Sequence, residues 1–197
     1  MSNATDTQIF RIYIRATPEA IWEAITSADW TERYGYKGRT EYDLRAGGAV
    51  IGHATKEMID FGAPAVMVEG EVLEADPPKK LVHTFHAQFN PETIAEPGVV
   101  VTYLIEPEEQ GGLTKLTVVN DANGSPITMG FLAGSPGQLS DGGGGYPFII
   151  SDLKTLLETG TSLQGGSVSA ERPERSSEGT NAGGTPSTSG DRPATRR

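Results

Sequence analysis

Residues 8–15, Gln-Ile-Phe-Arg-Ile-Tyr-Ile-Arg, alternate in polarity. Phe10, Ile12 and Ile14 fall on one face, Arg11, Tyr13 and Arg15 on the other, which predicts a half-buried strand. Thr17-Pro18-Glu19 follows. A capping hydroxyl, a proline at the first helical position and an acid near the positive end of the helix dipole predict a helix start. That helix should run to Thr26 with Ile21, Ala24 and Ile25 buried. A short second helix is predicted over Asp29–Tyr34, ended by Gly35 and Gly38.

From there the period is two. Arg39–Leu44 and Ala49–Thr55 read as strands around the turn Ala46-Gly47-Gly48. Residues 56–64 form a looser region. Val66–Glu74 and Lys80–Phe89 are strands flanking Asp76-Pro77-Pro78, and Val99–Glu106 and Thr114–Asn120 form a last hairpin. Short connections between consecutive strands imply an antiparallel meander. Residues 111–145 hold ten of the 25 glycines, interrupted by Met129, Phe131 and Leu132. Its part at 121–145 is read as a loop able to act as a lid. A last helix starts near Tyr146-Pro147, with Ile149, Ile150, Leu153, Leu156 and Leu157 at three- and four-residue spacing and Gly160 as its stop. Its apolar stripe needs a partner, and a concave sheet is the available one. The expected fold is α+β: a curved antiparallel sheet of six to seven strands around a long C-terminal helix, with two short helices after the first strand.

Composition sharpens the boundaries. Residues 161–197 number 37, of which Gly, Ser, Thr and Pro supply 21, and none is aromatic. Such a segment buries too little apolar surface to offset chain entropy, so a disordered tail is expected at 161–197. The expected division is a flexible N-terminus at 1–7, one domain at 8–160, then the tail. The net charge of -10 opposes binding to nucleic acid. The absence of cysteine excludes disulfides, zinc–thiolate sites and a thiol nucleophile. No apolar run is long enough to span a membrane, and Met1–Asp6 lacks a signal-peptide pattern. A cytoplasmic protein is the expectation.

The order of elements resembles the helix-grip (START-like, SRPBCC) superfamily. Ile12-Tyr-Ile-Arg-Ala-Thr-Pro-Glu-Ala-Ile-Trp-Glu-Ala-Ile-Thr26, Tyr42-Asp-Leu-Arg-Ala-Gly-Gly48, Gly70-Glu-Val-Leu-Glu-Ala-Asp-Pro-Pro-Lys-Lys-Leu-Val82 and Leu153-Lys-Thr-Leu-Leu-Glu-Thr-Gly160 resemble the branch named after the C-terminal domain of the activator of Hsp90 ATPase (AHSA1-like). The resemblance covers 8–160. It implies a ligand cavity between sheet and C-terminal helix, and a possible homodimer. It carries no fixed catalytic set. Tyr34-Gly35-Tyr36 stands where relatives often have paired tryptophans. With the first strand at residue 8 there is no room for the separate N-terminal domain of the eukaryotic co-chaperone, so Hsp90 activation is not the expected role.

His83 and His86 are three apart on one strand and point to opposite faces, so they cannot share a metal ion. No His/Asp/Glu cluster has ligand spacing, and neither metal nor cofactor is expected. Gly142–Gly145 before a helix lacks the Gly-Lys-[Ser/Thr] ending of a phosphate loop. The candidate cavity residues are Trp30, Tyr34, Tyr42, His53, Met58, Phe61, His83, Phe85, Tyr103, Met129, Phe131, Tyr146 and Phe148, because pockets are mostly apolar with a few polar anchors. The leading expectation is binding of a small, largely hydrophobic organic molecule. One alternative is a cyclase- or hydratase-type enzyme using a buried His or Tyr with Glu57; its catalytic residues are not identified. Another is a co-chaperone-like or stress-response interaction module.

Overall fold

The computed structural model describes residues 7–109, 111–134 and 143–165. Seven strands form one antiparallel sheet: β1 (Thr7–Ile14), β2 (Thr40–Tyr42), β3 (Ala49–His53), β4 (Val66–Asp76), β5 (Lys80–Ala87), β6 (Val99–Pro107) and β7 (Thr114–Asp121). Their order is β1-β7-β6-β5-β4-β3-β2. Strands two to seven meander, and the first strand returns to pair with the last, from Thr7 opposite Asp121 to Ile14 opposite Thr114. The helices are α1 (Pro18–Thr26), α2 (Ala28–Thr31), α3 (Lys56–Asp60), α4 (Pro91–Ile94), α5 (Pro126–Ala133) and α6 (Gly145–Thr159). The helix-grip architecture read from the sequence is the observed one.

Alternation selects the inner face of the sheet. Phe10, Ile12 and Ile14 on β1 face inward; Ile9 and Tyr13 face solvent. On β5 the inward row is Leu81, His83, Phe85 and Ala87. Register shifts at Gly52/His53 and between Val72 and Glu74 mark irregularities in β3 and β4. Bulges of this kind bend the strand that carries them and increase its twist. At Gly70 the backbones come so close that a Cβ would lie 2.0 Å from the Thr84 carbonyl oxygen. Only glycine fits there.

α1 begins as the sequence predicts, with Thr17 Oγ1 accepting the Ala20 N–H. α2 is shorter than the Asp29–Tyr34 helix expected. The chain leaves it because Tyr34 turns into the core and donates its hydroxyl proton to the Ala24 carbonyl. Two elements absent from the sequence reading are α3, capped by Thr55, and α4, closed by a reciprocal Asn90–Thr93 capping box. α5 occupies part of the stretch read as a lid loop. Its N-terminal N–H groups at Ile127 and Thr128 donate to the Glu96 carboxylate at 2.7 and 2.8 Å, and Thr128 Oγ1 donates at 2.6 Å. Desolvation pushes the Glu96 carboxyl up, but these hydrogen bonds outweigh it and hold it below its ordinary value. The remainder of the lid expectation, at 135–142, lies outside the described residues.

α6 buries Tyr146, Phe148, Ile150, Leu153 and Leu156, and packs chiefly on β1, α1 and α5. Gly160 takes the left-handed conformation (φ 75°) that ends it. Asp152, on the same helix, is fully buried. Its carboxylate accepts the Gly35 N–H at 2.8 Å, the Ser162 hydroxyl at 2.9 Å and the Leu163 N–H at 2.6 Å. One side chain thus ties three segments together. The described chain therefore continues in ordered contacts to residue 165, past the Gly160 boundary, because Ser162 and Leu163 supply donors that a buried carboxylate requires. Residues 166–197 and 1–6, the rest of the expected termini, lie outside the described residues.

Removing this carboxylate strands three donors. Asp152→Ala is expected to lower unfolding stability by about 3 kcal/mol, read as a lower urea midpoint at unchanged slope. Asp152→Asn keeps one acceptor oxygen and should lose less. A loss under about 1 kcal/mol for the alanine variant, no more than one ordinary hydrogen bond, would show that the helix is held by its apolar stripe alone.

Candidate functional site

The helices do not fill the whole concave face. α6 packs on β1, and α1 packs on β6 and β2. Beside them, against β2–β6, lies a partly open cavity of about 470 Å³. The sheet contributes Thr40 and Tyr42 from β2, Val50, Gly52 and His53 from β3, Met67 and Val68 from β4, His83 and Phe85 from β5, and Tyr103 from β6. Ile25 of α1, Thr31 of α2 and Met58 of α3 line it from other sides, with residues 34–38, Phe89, Phe131 and Leu132 of α5, and Tyr146 and Ile149 of α6.

Of the residues singled out from the sequence, Tyr34, Tyr42, His53, Met58, His83, Phe85, Tyr103, Phe131 and Tyr146 meet in this wall. Four do not. Phe61 is 93% exposed: α3 ends at Asp60, and the chain turns outward through Gly62 (φ 95°). Trp30 packs on the outside of the core with the Arg33 guanidinium 5.1 Å above its ring. Met129 is buried in the core. Phe148 is buried against Tyr36, with ring centroids 5.4 Å apart. Glu57 is exposed on α3, so it cannot serve a buried acid–base pair.

Several lining residues had no signal in the pattern. Phe89 lies beyond the end of β5, yet its ring meets Phe131 at 5.5 Å and Phe85 at 6.4 Å, edge to face in both cases. Tyr36 accepts the Gly144 and Gly145 N–H groups at 3.0 Å each. It caps the glycine-led start of α6, which has no capping side chain of its own. Gly145 there is compelled: its φ is 53°, and a Cβ would sit 2.3 Å from the Gly134 nitrogen.

The polar part of the wall is a row of rings. Tyr42 meets His83 edge-on at 5.6 Å. His83 stacks on Tyr103 at 6.0 Å. Tyr103 and Tyr146 share a hydrogen bond at 3.0 Å between their hydroxyls. Burial raises the pKa of Tyr34, Tyr42, Tyr103 and Tyr146 above the ordinary tyrosine value. Burial also lowers His83 to about 4, against a smaller upward pull from its hydrogen bond to the Thr84 carbonyl. The row is therefore uncharged at neutral pH. His86 points to the opposite face, with Nε2 3.0 Å from the Ile94 carbonyl oxygen. His53 lies at the cavity edge, 3.9 Å from Glu41. Among the described residues no group of three or more His, Asp or Glu could hold a metal ion, and no helix is long and apolar enough to cross a membrane.

A curved seven-stranded sheet gripping a C-terminal helix beside a cavity defines a helix-grip domain. The family model described as activator of Hsp90 ATPase homolog 1-like protein matches residues 15–138. The chain belongs to this family. No curated protein matches it in sequence. Solved structures that match include protein MLL2253 from Mesorhizobium loti, with 22% identity, TM-score 0.54, and coverage of 77% of this chain and 96% of that one. The Aha1 dimer from Colwellia psychrerythraea matches with 15% identity, TM-score 0.53, and 78% and 97% coverage. PFC0360w from Plasmodium falciparum, an HSP90 activator, matches with 19% identity, TM-score 0.51, and 77% and 95% coverage. At these identities the likeness is one of fold.

His83 generates a pH dependence. The unfolded chain takes up its proton near pH 6.5, whereas the folded chain does so only near 4. Between those values the unfolded state holds more protons, so stability is full above about pH 6.5 and falls as pH drops toward about 4, by up to about 3 kcal/mol. His83→Leu should flatten this slope in urea titrations across that window. An equally steep slope in the variant would place its origin elsewhere.

Proposed function

We propose that this protein binds a small, largely apolar organic molecule in the cavity between the sheet and α6. The observation that carries this reading is the cavity itself. Its volume of about 470 Å³ falls within the range typical of small-molecule sites, roughly 300–1,000 Å³. Its wall is mostly aromatic and aliphatic, with a few buried polar groups. The uncharged state of His83 and the tyrosines supports binding over acid–base chemistry. A general base works best with a pKa near the working pH, and the exposed Glu57 supplies no partner.

A second reading, a protein-interaction role of the Hsp90-activator kind, is supported by the family's description and by one surface feature. Phe61 is almost wholly exposed at the end of α3, and Ile59 is half exposed beside it. Under this reading Phe61→Ser weakens binding to an Hsp90 chaperone and leaves cavity binding intact. Self-association, as in the Colwellia dimer, fits either reading.

The cavity reading is tested with the neutral fluorescent probe N-phenyl-1-naphthylamine. Its emission should rise on binding. Met67→Trp, which places a larger side chain in the wall, should weaken binding about tenfold, a difference of 1.4 kcal/mol, with the fold retained by circular dichroism. No emission change with the unsubstituted protein, or equal affinity in the variant, removes the cavity as the binding site.

A further inference from the structure

The polar atoms of the cavity wall select among apolar ligands. His83 Nδ1 lies 2.9 Å from the Thr84 carbonyl oxygen. A carbonyl only accepts, so Nδ1 carries the proton and Nε2 presents a bare lone pair. Nε2 has no hydrogen-bond partner, and the residue is 2% exposed. Leaving a buried acceptor unmatched costs about 1–3 kcal/mol. In an imidazole Nε2 lies on the edge farthest from Cβ. His83 belongs to the inward row of β5 and lines the cavity, and Nε2 itself is buried in that wall.

The neighbouring hydroxyls complement it. Tyr103 and Tyr146 are 3.0 Å apart, and one of their two protons makes that bond. The other remains to be donated. On another side of the cavity, Phe85, Phe89 and Phe131 present ring edges and faces to an apolar body. Aromatic partners suit such a cluster, since edge-to-face contacts add to area burial.

We propose that the cavity takes a neutral aromatic ligand bearing a hydroxyl, whose O–H donates to His83 Nε2 and whose oxygen accepts the free proton of the Tyr103–Tyr146 pair. A carboxylate is disfavoured. It has no proton for Nε2, and Lys37, the lining lysine, has its Nζ directed to the Gly165 carbonyl oxygen at 3.3 Å. This inference rests on the cavity reading and adds the chemistry of the ligand's polar end.

The test uses the full chain and three probes of one shape: 1-naphthol, 1-methylnaphthalene and 1-naphthoate, titrated at neutral pH by calorimetry. Naphthol should bind about tenfold more tightly than methylnaphthalene, the worth of one neutral hydrogen bond to an otherwise unmatched group. Naphthoate should bind more weakly than either. In His83→Phe the naphthol advantage should vanish while methylnaphthalene binding persists. The unsubstituted protein gives a second readout should that variant fail to fold. The 15N resonance of His83 Nε2 should move upfield with naphthol and stay in place with methylnaphthalene. Equal binding of naphthol and methylnaphthalene, or a naphthol preference without an Nε2 shift, overturns the hydroxyl assignment and leaves the cavity reading standing. Binding of none of the three overturns the cavity reading itself.

Discussion

The position of α6 depends on one buried carboxylate. Asp152 sits on a helix whose other inward residues are apolar, and it has no cationic partner among its hydrogen bonds. Its charge is matched by three donors drawn from the turn after α2 and from the chain beyond Gly160. Hydrogen bonds to a charged acceptor are stronger than neutral ones, and a buried charge left unmatched is costly. The apolar stripe of α6 would tolerate some sliding over a smooth sheet. The Asp152 contacts do not, because their geometry is specific. With α6 set in this place, the Tyr34–Tyr36 turn is set too, and both form walls of the cavity.

The cavity follows from a mismatch of shape. The strands irregular at Gly52/His53 and Val72/Glu74 are β3 and β4, and both line the cavity. The close approach of β4 and β5 at Gly70 adds to the sheet's tight geometry on that side. A straight helix cannot follow the whole concave face, so part of the inner face is lined rather than filled. Interiors are normally close-packed, and a cavity of this size forgoes dispersion contacts. Aromatic rings offset part of that loss by packing on one another around the rim, from Tyr42 to Tyr146 and from Phe85 to Phe131.

Much of this was legible in the chain. Strand alternation acts through neighbours two residues away, the Thr17-Pro18 helix start and the α6 stripe through neighbours three or four away, and each element lies where its pattern puts it. The opposite orientation of His83 and His86 was also legible, but which of them faces inward was not. Both rows of β5 mix apolar and polar residues, so alternation alone left the two faces equivalent. Met58 and Phe61 both read as wall residues, apolar side chains of a looser region, and the outward turn through Gly62 separates them. The glycines around α5 obscured a helix whose cap is Glu96, some thirty residues earlier in the chain.

The sequence by itself determined the helix-grip fold, the antiparallel meander and most of the aromatic set, because periodicity and capping are local constraints. Tertiary structure decided which rings face one another, which histidine loses its charge and keeps an unmatched lone pair, and where the helices leave the sheet uncovered. Those outcomes depend on desolvation and on contacts between residues more than a hundred positions apart, such as Gly35 with Asp152 and Tyr36 with Gly144. No local pattern encodes them.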